Sequence, residues 1–303
     1  MIQQGRHLTL FTTTKPFESH TAIIQRNALQ SWRRLRPSVQ IVVFGDARGT
    51  AEATAQLGVR HIPEVGRNEY GTPLVSALFE AAERLSDSPL MCYVNADIIL
   101  MSDLMAAVRQ VGSRNSALVV GRRVDLDMHD PWDFDHPDWE ERLRVHAAGH
   151  GVLHSVTGID YFLYSRGLWG SLPPFAIGRT AWDNWLIYRA RARGARVIDA
   201  SRAVTAIHQN HDYRHHPNGP MGAWGGPEVE RNQKLTGGTQ YGFTPMDATH
   251  VVTPWGVWPA LSTAHLKRRL VTASLFYPRL APILSPLVKM ARRGSAPAPR
   301  TTL

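Results

Sequence analysis

The sequence predicts an α/β fold: an open, mostly parallel sheet flanked by helices. Three observations carry this expectation. Short apolar runs alternate with stretches of helical spacing along the chain, the run Leu90–Val94 is apolar enough to be covered on both faces, and carboxylates close two of the runs, at Asp46 and Asp97.

Leu8–Thr12 reads as the first strand, Glu18–Leu35 as a helix and Gln40–Phe44 as a second strand, which together make a βαβ unit. Ala51–Leu57 follows as a helix and Val59–Ile62 as a short strand. After the loop Gly66–Gly71, Thr72 reads as a helix cap and Pro73 as the first helical residue, with Leu74, Leu78, Ala81, Ala82 and Leu85 at helical spacing. Leu90–Val94 runs into Asn95-Ala96-Asp97. Ligands of open parallel sheets gather beyond the carboxyl ends of the strands, where Asp46 and Asp97 fall. Further on, Ala117–Val120, Ile159–Tyr164, Arg196–Ile198 and Val204–Ile207 read as strands, and Thr180 opens a helix containing Trp182, Asp183, Trp185 and Leu186.

Composition places 303 residues, 43% hydrophobic and 19% charged, among ordinary folded proteins, and the single cysteine, Cys92, excludes an intrachain disulfide framework. The net charge of +9 is localised: residues 260–303 hold eight Lys/Arg and no Asp or Glu, so the first 259 balance 26 Lys/Arg against 25 Asp/Glu. A nearly neutral body with a basic end points to a local attachment surface rather than to nucleic acid. The expected division is therefore a domain over 1–259 and a basic amphipathic tail over 260–303. Leu270–Met290 is interrupted by Pro278, Arg279, Pro282 and Pro286, which makes it a poor spanning helix. Residues 260–293 suit an anionic membrane surface, with packing on the chain's own domain as the alternative. The polar opening residues carry no signal-peptide pattern, and the expected location is the cytoplasm, at the inner membrane surface. The stretch 125–141 carries eight carboxylates without Lys or Arg and reads as a surface loop or insertion.

Around Asn95-Ala96-Asp97 the ordered pieces of residues 7–213 resemble a GT-A-type glycosyltransferase. The resemblance implies a Rossmann-like donor-nucleotide half (7–124) and an acceptor half (125–259). It also implies transfer of a sugar from a nucleotide-sugar to a glycan or lipid-linked acceptor, an EC 2.4 type of reaction. In that family an Asp-x-Asp motif holds a divalent metal on the donor diphosphate. Here Asn95 takes the first acidic place, leaving Asp97 to ligate Mn²⁺ or Mg²⁺ while Asn95 bonds ribose or offers a neutral oxygen. A departing nucleoside diphosphate gains negative charge that a cation must stabilise, and one carboxylate seldom suffices to hold an ion. Ile207–Tyr213 resembles the family segment whose histidine completes the metal site, making His208 and His211 the candidates. Ordinary polar-loop histidines are the alternative, and His215 and His216 could form an adventitious metal site.

The resemblance also places Thr12 and Thr13 at the nucleotide, Asp46 at the base or ribose and Arg67 at the diphosphate. Arg122 and Arg123 are read as ion-pair partners of the acidic stretch. On the acceptor side it implies Asp160 as a sugar contact, Trp182 as a stacking surface and Asp183 as the general base. Thr180-Ala181-Trp182-Asp183 equally fits a capping box, and both roles could hold together. Two other readings stay open: a relative that binds a nucleotide-sugar or glycan without transferring it, motivated by Asn95, and a metal-dependent hydrolase built on the His208–His216 cluster. P-loop, Gly-x-Gly-x-x-Gly and Gly-x-Ser-x-Gly patterns are absent from the sequence.

Overall fold

In the computed structural model, which describes residues 7–112, 116–211 and 225–293, the first strands form where apolar residues face both ways. Leu8–Thr13 (β1) pairs in parallel with Gln40–Phe44 (β2) across the helix Ser19–Arg33 (α1), matching Leu10 with Ile41 and Phe11 with Val42. The chain continues through Thr50–Leu57 (α2), Arg60–Ile62 (β3), Val75–Arg84 (α3), Leu90–Val94 (β4), Ile98–Leu100 (β5), Ser102–Val111 (α4) and Ala117–Val120 (β6). Arg123–Leu126 (β7), Trp139–His150 (α5), Val152–Leu153 (β8), Tyr161–Ser165 (β9), Trp182–Ala192 (α6), Arg196–Asp199 (β10) and Ala206–Gln209 (β11) follow. Pro227–Thr236 (α7), His250–Thr253 (β12), Gly256–Pro259 (β13), Thr263–Phe276 (α8) and Ala281–Arg293 (α9) complete the described elements.

The large sheet has the order β13-β12-β10-β6-β9-β4-β1-β2-β3. It is mixed and mostly parallel, because β9 runs antiparallel between β4 and β6 and β13 returns antiparallel on β12. One face buries Leu10, Trp32, Cys92 and Leu104 beneath α1 and α4; the other buries Phe11, Phe79, Tyr93, Phe162 and Trp182 beneath α3 and α6. A second sheet, β5-β11-β7-β8, covers a smaller core of Ile99, Phe134, Trp139 and Leu143.

Two local expectations are corrected. Helix α3 starts at Val75 rather than Pro73, because tertiary pairing claims the segment before it: Leu74 N–H donates to Gly66 O at 2.9 Å and Val75 N–H to Phe175 O at 2.8 Å. Thr72 and Pro73 are therefore extended chain, with Pro73 bridged to Arg67. The acidic stretch is not a bare loop, since it contains the end of β7 and the start of α5 and buries Phe134 and Trp139. The basic end begins as an integrated helix: Arg268 of α8 makes two hydrogen bonds, 2.9 and 2.7 Å, to the carboxylate of Asp247, which is wholly buried. Phe276 packs against Tyr188 and Phe243, with the Arg191 guanidinium 4.5 Å above its ring. No helix among the described residues is long and apolar enough to cross a membrane.

Candidate metal centre and cleft

A cleft of about 650 Å³ opens at the carboxyl ends of β1, β2 and β4. Its floor is set by backbone register. β11 runs antiparallel to β5 with His208 opposite Ile98, and parallel to β7 with His208 opposite Asp125. Gln209, fully buried, fixes the preceding turn: its side-chain amide donates to Asp97 O at 3.0 Å and to Ile24 O at 2.8 Å, and its oxygen accepts from Asn27 at 2.9 Å. The two histidines and Asp97 are thus delivered to one point by two strands and a turn.

His211 Nε2 lies 3.2 Å from Asp97 Oδ2 and His208 Nε2 lies 3.9 Å from the same oxygen. One ligand atom from each of Asp97, His208 and His211 falls within 4.8 Å of the others, a spacing one metal ion could bridge. Asp97 Oδ1 is buried and finds no hydrogen-bond partner among the described residues. Burial disfavours the Asp97 charge, yet the hydrogen bond to His211 and the positive fields of His208 and Lys15 outweigh it and hold the carboxyl well below its usual range. Two imidazoles and a carboxylate with an orphaned oxygen fit a divalent transition ion, and suit Mn²⁺ better than all-oxygen-seeking Mg²⁺. Asp125 stands behind His208, with Oδ1 3.2 Å from His208 Nδ1, and also contacts His154 Nδ1 at 2.5 Å. A carboxylate on the far ring nitrogen orients an imidazole for ligation.

Asn95 has a structural task that explains the departure from an acid. Its side-chain oxygen accepts from Tyr93 OH at 2.7 Å while its NH₂ donates to Asp160 Oδ1 at 2.5 Å. An amide can accept from a phenol and donate to a carboxylate at once, whereas an ionised aspartate could only accept. Asp160 also receives Arg123 Nη1 at 2.8 Å, and Arg123 Nε donates to Asp125 at 2.8 Å, so the expected pairing of Arg123 with the acidic stretch is present. Asp160 and Asn95 line the cleft as members of this network.

At the other end of the cleft Arg67 bridges Asp46, at 2.5 Å, and Gly71 O, at 2.7 Å. Both residues also border an adjoining hollow of about 500 Å³. Gly45 follows β2 with φ +97°, and a Cβ there would lie 3.2 Å from Thr13 Oγ1, so glycine permits the close approach of the two strand ends. Thr13 lines the cleft; Thr12 is fully buried, with its hydroxyl donating to Thr13 O.

Sequence reasoning missed Lys15 and Arg179. Lys15 lines the cleft with Nζ 3.4 Å from His211 Nε2, and burial pulls its ammonium below the ordinary lysine range against the opposing field of Asp97. Arg179 lines it too, bonded to Glu228 at 2.6 Å. The run Thr12-Thr13-Thr14-Lys15 after β1 was the available signal for Lys15; for Arg179 there was none.

Trp182 and Asp183 stand apart from the cleft lining. Trp182 is buried against Tyr93 and Phe162, with centroids 5.5 Å from each, and is a core residue rather than an open stacking surface. Asp183 is the second residue of α6, but the capping box is not formed: Ala181, not Thr180, is the N-cap, at φ +88°, and no side chain caps it. Asp183 Oδ1 is buried without a partner among the described residues. Burial, reinforced by Asp160 and only partly offset by backbone N–H groups, pushes its carboxyl up to about 6. Asp212, Tyr213, His215 and His216 lie outside the described residues.

No family model and no curated protein sequence matches the chain. Among solved structures it is similar to S. aureus TarS 1–349 in complex with UDP-GlcNAc, with a TM-score of 0.49 and 11% identity over 91% of this chain and 72% of that one. It is similar to mannosyltransferase PcManGT from Pyrobaculum calidifontis in complex with GDP-Man and Mn²⁺, with a TM-score of 0.45 and 14% identity over 97% and 77%. A third similarity is to glucosyl-3-phosphoglycerate synthase from Mycobacterium tuberculosis in complex with Mg²⁺ and UDP, with a TM-score of 0.41 and 15% identity over 68% and 73%. The chain is an α/β protein with a mixed, mostly parallel sheet flanked by helices. Its own mark within that architecture is the Asp97-His208-His211 cluster at the strand ends.

Proposed function

We propose that the chain is a metal-assisted glycosyltransferase that moves a sugar from a nucleotide-sugar to a glycan or lipid-linked acceptor. The observation that carries this reading is the convergence of Asp97, His208 and His211 on one point of the cleft, with Asp97 Oδ1 buried and unpartnered. A divalent ion held there supplies the positive charge that a departing nucleoside diphosphate needs. The arginines of the cleft favour that need: Arg67, Arg123 and Arg179 are each bonded to a carboxylate, so their charge is largely spent within the protein.

In this reading Thr13, Asp46 and Arg67, beside the adjoining hollow, hold the nucleoside, and Lys15 faces the diphosphate. Asn95, locked between Tyr93 and Asp160, keeps the floor rigid and holds the Asp160 side chain in place beside the cleft. Asp183, set back from the cleft lining behind Tyr93 and Trp182, is the proposed acceptor of the proton from the acceptor hydroxyl as that oxygen attacks the anomeric carbon and the bond to diphosphate breaks. A carboxyl held near 6 is a better proton acceptor than an ordinary aspartate and is still ionised at neutral pH.

The test is a panel of UDP-, GDP-, TDP- and CMP-sugars, with and without Mn²⁺, reading released nucleotide alongside thermal stabilisation. Stabilisation by one donor with metal-dependent release is the expected result. Stabilisation without release with any acceptor tried would favour a non-catalytic binder, and neither effect with any donor would overturn both.

A further inference from the structure

Of the twelve large apolar side chains that are exposed among the described residues, eight fall between Trp255 and Met290. Trp255, at the tip of the β12–β13 hairpin, is 85% exposed and Trp258 56%. Val257 packs into the core beneath α1 and α4, so strand alternation turns Trp258 to the opposite face of the sheet, the face on which Leu275 and Phe276 of α8 pack. The last helix, α9, follows α8 with Ile283 71% and Met290 69% exposed, and none of its described side chains is buried. Lys267, Arg279 and Lys289 are exposed on the same segment, where no Asp or Glu occurs from residue 260 onward.

We propose that the Trp255–Trp258 hairpin and the α8–α9 segment form one docking surface for an anionic lipid bilayer. This goes beyond glycosyl transfer and does not depend on it. Indole rings favour the headgroup level of a membrane, aliphatic side chains favour the acyl boundary just below, and Lys/Arg without acids are drawn to anionic headgroups. The Arg268–Asp247 pair fixes α8 to the body, so the surface is presented as part of the fold and not on a loose tether. Two copies of this chain meeting face to face would oppose Lys and Arg with Lys and Arg, which disfavours a dimer. Nucleic acid would leave Ile283 and Met290 without a role. The absence of any spanning helix among the described residues fits a chain that lies on the bilayer.

The test is co-sedimentation of the full chain with vesicles of phosphatidylcholine alone and of phosphatidylcholine mixed with phosphatidylglycerol, in low and high salt and without donor. Expected are binding to the anionic vesicles only, loss in high salt, and a blue shift of tryptophan emission that Trp255→Ala with Trp258→Ala abolishes. Replacing Arg279 and Lys289 together by Gln should weaken partitioning about 25-fold, since each basic residue near such a surface contributes roughly a factor of five. The same variants should keep the parent's urea unfolding midpoint, so a loss of vesicle binding is not misfolding. Equal binding to both vesicle types, no binding to either, or concentration-dependent dimerisation through Trp255 and Trp258 would overturn the proposal.

Discussion

Replacing Asp183 by Asn should make the protein more stable and less active. The Asp183 carboxyl stands at about 6 in the folded chain because burial and Asp160 disfavour its charge, and returns to about 3.8 when unfolded. A folded-state value above the unfolded one means that the folded chain holds the proton more tightly. The group's contribution is therefore most favourable below about pH 4 and becomes unfavourable as pH rises through 6. At 1.36 kcal/mol per pH unit, the ionised carboxylate costs the fold roughly 3 kcal/mol at pH 7.5. At pH 5 the cost is roughly half as large. An amide carries no charge, and its oxygen accepts from the same backbone N–H groups. Its NH₂, placed where Oδ1 lacks a partner, returns about 1 kcal/mol of the gain. Urea unfolding in chelator should place Asp183→Asn about 2 kcal/mol above the parent at pH 7.5, with most of that margin gone at pH 5. Transfer should fall by about 10²- to 10⁴-fold in the same variant, and in the parent kcat/KM should drop tenfold per pH unit below about 6. A variant less stable than the parent at pH 7.5, or a margin unchanged at pH 5, would refute the reasoning.

Ala181 holds φ +88° beside Asp183, so Ala181→Gly should raise the unfolding free energy by up to about 1 kcal/mol in urea titration; a lower value would show that the conformation carries no strain. Arg268→Met would leave the buried Asp247 carboxylate without its bidentate partner and should cost about 3 kcal/mol by urea unfolding, a loss smaller than 1 kcal/mol being inconsistent with a buried pair. Asp125→Asn removes the oxygen behind His208 Nδ1 and should weaken Mn²⁺ binding about 10- to 100-fold by calorimetric titration without touching the ion.

Much of the fold was legible wherever a strand is apolar on both faces: Gln40–Phe44, Leu90–Val94 and Ala117–Val120 form with the bounds their sequence suggests. Local signals failed where tertiary contacts outbid them. Thr72-Pro73 has the chemistry of a helix start, yet the bridges of Pro73 to Arg67 and of Leu74 to Ala176 keep it extended. Thr180 and Asp183 have capping-box spacing, yet the chain turns through Ala181 instead. The spacing of Trp182, Trp185, Leu186 and Ala190 is that of a buried helical face, and read alone it marks Trp182 as core.

Asp97, His208 and His211 are linked in the sequence by the resemblance of their two segments to the GT-A family, since strand ends alone do not say which of them meet. Asp125 has no such signal: it is one of eight carboxylates within residues 125–141, and only the parallel register of β7 and β11 brings it to His208. Asn95 likewise reads as a missing acid until Tyr93 and Asp160 are seen on either side of its amide.

The most direct measurement is Mn²⁺ titration of the parent and of Asp97→Ala by electron paramagnetic resonance, with and without each nucleoside diphosphate. Expected are one site in the parent that tightens when a single diphosphate is added, and no such site in Asp97→Ala. Equal Mn²⁺ binding by the two proteins, or a site indifferent to every diphosphate, would contradict a metal centre built on Asp97, His208 and His211 to serve a nucleotide-sugar.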